Sequence, residues 1–215
     1  TDDGTTPLYI ACKEGHVDAA RLLLDKGAEV DRATKKGSTP LFVACEKNHV
    51  HAARLLLDKG ADVNQANKNG ATPLFIACQN GHVDAARLLL EKGAAIDRTT
   101  EDGATPLFIA CQIGHVDAAR LLLDKGADMN RAMNDGATPL LIACYEGHVD
   151  AARLLLEKGA ELDRAAEDGW TPLFTACHQG HVDAARLLLD NGAEVDRATE
   201  KGTTPLDIAK WKGHS

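Results

Sequence analysis

Long apolar runs are missing from this chain. Its leucines come in threes, each bounded by Arg on one side and by Asp or Glu on the other, whereas a bilayer-spanning helix needs about 20 apolar residues. No membrane partner is expected. Positive charge is also short: 24 Lys and Arg stand against 32 Asp and Glu, a formal charge of -8. Binding nucleic acid or an anionic membrane needs clustered basic side chains, so the expectation is no nucleic acid. The start at Thr1 shows no basic segment followed by an apolar one, and hence no visible secretory signal. Aromatic residues amount to 4% of the chain, with two Trp among 215 residues, which makes the place of each one informative.

What the chain has is a period. Thr-Pro-Leu begins at Thr6, Thr39, Thr72, Thr105, Thr138, Thr171 and Thr204, always 33 residues apart. A fixed period of this size describes one small supersecondary block that cannot cover its own apolar face and must stack on its neighbours. The expected organisation is a single domain over 1–215, with repeats at 1–33, 34–66, 67–99, 100–132, 133–165 and 166–198 and a partial one at 199–215.

Residues 67–99 show how one repeat reads. Asn69-Gly70 is a tight-turn pair and marks a loop tip. Thr72 then offers an N-cap hydroxyl, and Pro73 has φ already set for the first helical position. Leu74, Ile76, Ala77 and Cys78 are the apolar positions of a first helix of about two turns, which Gly81 ends in left-handed geometry. Asn48, the other residue type that tolerates that geometry, replaces this Gly in the second repeat. A second helix is predicted from Val83 to a stop at Gly93. Asp84 with Arg87 and Arg87 with Glu91 are expected to meet on its solvent face, and Leu89 and Leu90 to turn inward.

These residues resemble the ankyrin repeat. Gly70, Thr72-Pro73-Leu74, Gly81-His82, Leu88-Leu89-Leu90 and Gly93-Ala94 match its pattern, and the match recurs along the whole chain. The resemblance implies an all-α solenoid of stacked antiparallel helix pairs with hairpin-like loops to one side, seven repeats with the last truncated. It further implies a protein-binding groove lined by loop tips and first helices. One departure is consistent. The family's His after Thr-Pro-Leu is replaced by Tyr9, Phe42, Phe75, Phe108, Leu141, Phe174 and Asp207, so the resemblance implies that a polar bond to the Thr hydroxyl gives way mostly to apolar packing, and the rings in this series are expected to fill the interface between repeats. The other His series, His16, His49, His82, His115, His148, His181 and His214, keeps the family position, with a loop hydrogen bond as its expected role.

Chemistry is harder to find. Cys12, Cys45, Cys78, Cys111, Cys144 and Cys177 all occupy one repeat position. Equivalent positions on stacked helices lie roughly 10 Å apart, beyond the reach of about 7 Å that a disulfide allows. Buried, reduced thiols are expected, which suits the cytoplasm or nucleus. A Cys with a His four residues on leaves tetrahedral zinc two ligands short, and a Cys-His catalytic pair would recur in identical copies without an orienting acid. The glycines stand singly, so no phosphate-cradling loop exists. No enzyme activity, metal or cofactor is expected.

Individuality is confined to a few positions. Variation is greatest just after the Cys position, at Gln79, Gln112, Ile113, Tyr145, His178 and Trp211 among others, a stretch that the resemblance places on the groove. Tyr145, His178 and Trp211 are expected in line on successive repeats, with Trp170 on a loop beside them. Rigid aromatics of this kind are common binding anchors. In the alternative, Trp211 covers the end of the stack and Trp170 covers a loop. The tips also change sign, from Lys35, Lys36 and Lys68 to Glu101, Asp102, Asp135, Glu167 and Asp168. Arg32, Arg98, Arg131, Arg164 and Arg197 precede the tips and are positioned for ion pairs with acidic neighbours.

The expected function is a non-enzymatic protein-interaction module or scaffold, monomeric, whose incompletely capped ends stack head to tail at high concentration. The candidate partner-binding residues are Tyr145, Trp170, His178, Trp211, Ile113, Gln112, Gln79, Glu101, Asp102 and Asp135. High internal identity leaves two origins open, a recently amplified natural array with a partner and an engineered, consensus-like array with none.

Overall fold

The computed structural model describes residues 3–213. Within them thirteen helices follow one another: α1 (Pro7–Lys13), α2 (Val17–Asp25), α3 (Pro40–Glu46), α4 (Val50–Asp58), α5 (Pro73–Gln79), α6 (Val83–Glu91), α7 (Pro106–Ile113), α8 (Val116–Asp124), α9 (Pro139–Glu146), α10 (Val149–Glu157), α11 (Pro172–Gln179), α12 (Val182–Asp190) and α13 (Pro205–Lys212). The described residues contain no strand. Six repeats thus carry a helix pair and the seventh a first helix alone, as the period requires. His214 lies outside the described residues.

The chain divides into two compact units, Thr1–Glu101 and Asp102–Ser215. In the first, α1, α3 and α5 pack side by side as one layer and α2, α4 and α6 as another, with each helix pair joining the layers. In the second, α7, α9, α11 and α13 form the first-helix layer and α8, α10 and α12 the second.

Every first helix starts as its sequence dictates. The hydroxyl of Thr72 accepts from the Phe75 backbone N–H at 3.1 Å, and the six equivalent threonines do the same three residues on. Five of these threonines are at most 2% exposed, so the bond also satisfies a buried hydroxyl that would otherwise be costly. Asn48 has φ of +58°, the one non-glycine residue with positive φ among the described residues.

The core is aliphatic and small. Leu74, Leu88 and Leu89 are at most 2% exposed, and the alanines between them are fully covered. This corrects the expected pair of inward leucines. Leu88 and Leu89 lie on the stripe that Ala85 and Ala86 begin, while Leu90, one step of about 100° further round the helix, is half-buried at its edge. The rings after Thr-Pro-Leu are buried as expected at Phe42, Phe75, Phe108 and Phe174, each at most 8% exposed. At the first repeat Tyr9 is half-buried, its hydroxyl 3.4 Å from Ser38 Oγ of the next repeat.

Candidate functional site

Neighbouring repeats are tied by polar bonds that recur with the period. At the loop tips, the Lys68 N–H donates to the Lys36 carbonyl at 3.1 Å and the Glu101 N–H to that of Asn69 at 3.1 Å. In the second unit Asn134 donates to Asp102 at 3.1 Å and Glu167 to Asp135 at 3.0 Å. These are main-chain bonds. The side chains of Glu101, Asp102, Asp135, Glu167 and Asp168 are all exposed, and those of Asp135 and Asp168 accept from the backbone N–H groups of Ala137 and Trp170 in their own loops, each at 3.0 Å.

The loop histidines do more than close their own loops. His49 Nε2 donates to the Lys13 carbonyl at 3.0 Å and His82 Nε2 to that of Glu46 at 3.1 Å, each reaching back to the end of the preceding first helix. The imidazole lies so close to the Gly of the preceding repeat that a Cβ on Gly15 would stand 2.7 Å from His49 Nδ1. Gly114 with His148 and Gly147 with His181 repeat that approach in the second unit. His49 and His82 are thus occupied as structural ties.

The expected ion pairs on the second helix are not formed: among the described residues neither Asp84 nor Glu91 pairs with Arg87. Lysines after three of the second helices instead reach back one repeat, Lys59 to Asp25, Lys92 to Asp58 and Lys158 to Asp124, each at 2.7 Å. The hydrogen bond from the lysine holds each of these three carboxyls below its ordinary range. Three of the five arginines before the tips pair within their own loops, Arg32 with Glu29, Arg164 with Glu161 and Arg197 with Glu194, at 3.3 to 3.9 Å.

The six thiols are free. Five are buried and Cys177 is half-buried; burial pushes the Cys12 and Cys111 thiols up to about 12 and raises the others as well. A thiol so shifted stays protonated at neutral pH and is a poor nucleophile and metal ligand. Among the described residues no three His, Cys, Asp or Glu side chains converge on a point that would hold a metal ion, and no helix is long and apolar enough to cross a membrane.

Of the candidate residues, the structure brings two together. Trp170, on the loop before α11, and His178, near the end of α11, have ring centroids 4.9 Å apart. Phe174, one turn from each, lies 4.8 Å from Trp170 and 6.4 Å from His178. The sequence reading named Trp170 and His178 but treated Phe174 only as interface filling; its spacing of four from both was the available signal. Trp170 and His178 are half-buried, so each retains an accessible face. Tyr145, Gln79 and Gln112 are also half-buried, and Ile113 is 45% exposed. Trp211 stands apart, 79% exposed, with the Lys212 ammonium 5.5 Å from its ring centroid.

At the last repeat the polar residue after Thr-Pro-Leu restores a bond that the aromatic series gave up. Asp207 accepts from the Thr204 hydroxyl at 2.7 Å and from its backbone N–H at 3.1 Å. These bonds hold the Asp207 carboxyl below its usual range.

Comparison with known proteins agrees with this construction. A family model for ankyrin repeats, in three copies, matches residues 1–67, 31–100, 55–133, 93–166 and 161–215. Among solved structures, the crystal structure of the human ASB11 ankyrin repeat domain is similar at 35% sequence identity and a TM-score of 0.88, over 95% of this chain and 92% of that one. No curated protein matches.

Proposed function

This chain belongs to the ankyrin-repeat family, and we propose that it is a non-enzymatic interaction module whose second unit holds a protein partner on the face formed by its first helices and loop tips. Ankyrin repeats are in general protein-interaction modules. The observation that carries the reading is the Trp170–Phe174–His178 cluster, which fixes two rings in place while leaving part of each accessible. A pre-ordered aromatic surface gains contact area on binding with little side-chain entropy left to lose. Tyr145 on α9 and Asp135 and Asp168 at neighbouring tips add a hydroxyl and negative charge, which favours a partner segment with an apolar anchor beside basic residues. Gln112, Ile113, Asp102 and Trp211 extend the same surface types within this unit; Gln79 and Glu101 occupy equivalent positions in the first. The buried, protonated thiols suit a reducing compartment, cytoplasmic or nuclear.

One observation favours a second reading. The ring contacts of Trp170 also serve packing, so a structural array with no dedicated partner would show them too. Passing the parent chain and a Tyr145→Ala/Trp170→Ala/Trp211→Ala variant over a cell lysate separates the two, given that the variant still melts cooperatively. The interaction module retains a protein that the variant loses, and that protein then binds the purified parent directly. Equal retention by both chains refutes the proposed surface.

A further inference from the structure

The repeat breaks its own symmetry at a second place, in the first unit. Five second helices begin Val-Asp-Ala-Ala-Arg, with Asp18, Asp84, Asp117, Asp150 and Asp183; α4 begins Val50-His51-Ala52-Ala53-Arg54 instead. Three residues earlier, Asn48 stands where the other repeats have Gly. Both exceptions line one cavity of about 590 Å³ in the second-helix layer of the first unit, together with Arg54, Arg87, Asp84 and Glu91. Neither exception is required by the fold, because the sibling repeats form the same helix pair without them.

The substitution changes the electrostatics of that cavity. An aspartate at position 51 would place a carboxylate on the same helix as Arg54 and three residues before it. His51 removes that negative charge. Among the described residues Arg54 and Arg87 make no ion pair or hydrogen bond. Asp58, next along α4 from Arg54, has Lys92 as its bonded partner at 2.7 Å, and Arg54 acts on it only through space. Two guanidiniums with free donors therefore line an open cavity, and each is suited to a bidentate bond with a carboxylate.

We propose that this cavity, between α4 and α6, is a docking site for an acidic segment of a protein partner, with a Glu or Asp side chain seated on Arg54 and Arg87 beside His51. The lining itself selects carboxylate over phosphate. Asp84 and Glu91 share the cavity, so a dianionic phosphate meets more repulsion than a single carboxylate does, and the same two acids are placed to pair with a basic residue of the partner. The site lies in the second-helix layer of the first unit and uses none of the residues of the Trp170–Phe174–His178 cluster.

The test is fluorescence anisotropy of fluorescein-labelled hexaglutamate at low salt, titrated with the full chain, with labelled hexaglutamine as the neutral probe. The parent is expected to bind hexaglutamate saturably and hexaglutamine not at all. His51→Asp restores the residue of the five sibling helices, so the fold tolerates it, and it weakens binding about fivefold; Arg54→Gln/Arg87→Gln weakens it about tenfold or more. Lys36→Gln, which removes one positive charge from a loop tip, keeps the parent affinity and so controls for net charge. Absence of binding by the parent, a His51→Asp variant that binds like the parent, or equal losses with Lys36→Gln would each overturn the site. Tighter binding of a phosphoserine hexapeptide, with the same sensitivity to His51→Asp, would overturn the choice of carboxylate.

Discussion

Trp170 stands 4.9 Å from His178, ring centroid to ring centroid, at an interplanar angle of 45°. That contact separates the two tryptophans of the chain. Trp170 also touches Phe174, and aromatic pairs contribute about 0.5–1.5 kcal/mol each beyond their buried area. Trp170→Ala is therefore expected to lower stability by about 1–3 kcal/mol. Trp211→Ala, at a side chain 79% exposed, should stay within about 0.5 kcal/mol of the parent. Urea unfolding of the two variants checks the contrast, and equal effects would contradict the packing described.

The glycine positions give a second contrast. Gly27 and Gly15 both have positive φ, +87° and +73°, but a Cβ on Gly27 meets nothing within 4 Å, whereas one on Gly15 would strike His49. Gly27→Ala bears only the left-handed strain, about 1–2 kcal/mol. Gly15→Ala must also displace the imidazole and break its bond to the Lys13 carbonyl, so it is expected to cost more. Denaturant midpoints of the two variants decide this, and a Gly15→Ala variant as stable as Gly27→Ala would remove the structural role given to the loop histidines.

Thiol labelling should follow burial. Cys177 is half-buried and the other five are buried, so a thiol reagent at pH 8 is expected to modify Cys177 first and the rest only as the protein opens. Mass spectrometry of partly labelled, digested protein reads the order directly. The pH dependence follows from the raised pKa values. The folded state holds these protons more tightly, so their contribution is whole below the unfolded thiol pKa, near 8.5, and is lost as pH rises through the folded values, about 12 at Cys12 and Cys111. Cys→Ala at Cys111 should blunt the alkaline fall in melting temperature.

The lysine ties govern the acid side. Asp25, Asp58 and Asp124 have folded pKa values below their unfolded ones, first because of the hydrogen bonds from Lys59, Lys92 and Lys158. Their contribution is present above the unfolded value, about 3.9, and disappears as pH falls through the lower folded values. The Lys59→Met/Lys92→Met/Lys158→Met variant should flatten the melting curve below about pH 4. Salt should shrink the difference between variant and parent, since all these groups are exposed to screening. A difference that persists in high salt would assign the effect to something other than these pairs.

How much was legible depended on whether a bond closes within one repeat. The Thr72 cap, Pro73 at the first helical position and the left-handed Asn48 are local events, and each is written in the residues that make it. The inward leucines were misplaced by one position because the buried stripe of α6 is fixed by the helices packed against it rather than by α6 itself. Lys92–Asp58 and His82–Glu46 were invisible for the same reason. They join residues 34 and 36 apart, and only the rise and rotation from one repeat to the next bring them together. Of the candidate site, the positions that vary were readable and so was Trp170 on a loop beside the line of His178, but the part Phe174 plays between the two rings was not read, because the same side chain also fills the interface between repeats.

The bonds from Lys68 to Lys36 in one unit and from Glu167 to Asp135 in the other join loop tips through the main chain. A mutation in a tip side chain therefore leaves the link between repeats intact. Lysines can give way to acids from one tip to the next, as they do here, with no compensating change in the core. Selection can rewrite this surface one residue at a time, through intermediates that all still fold, so that new recognition can arise without first being purchased in stability.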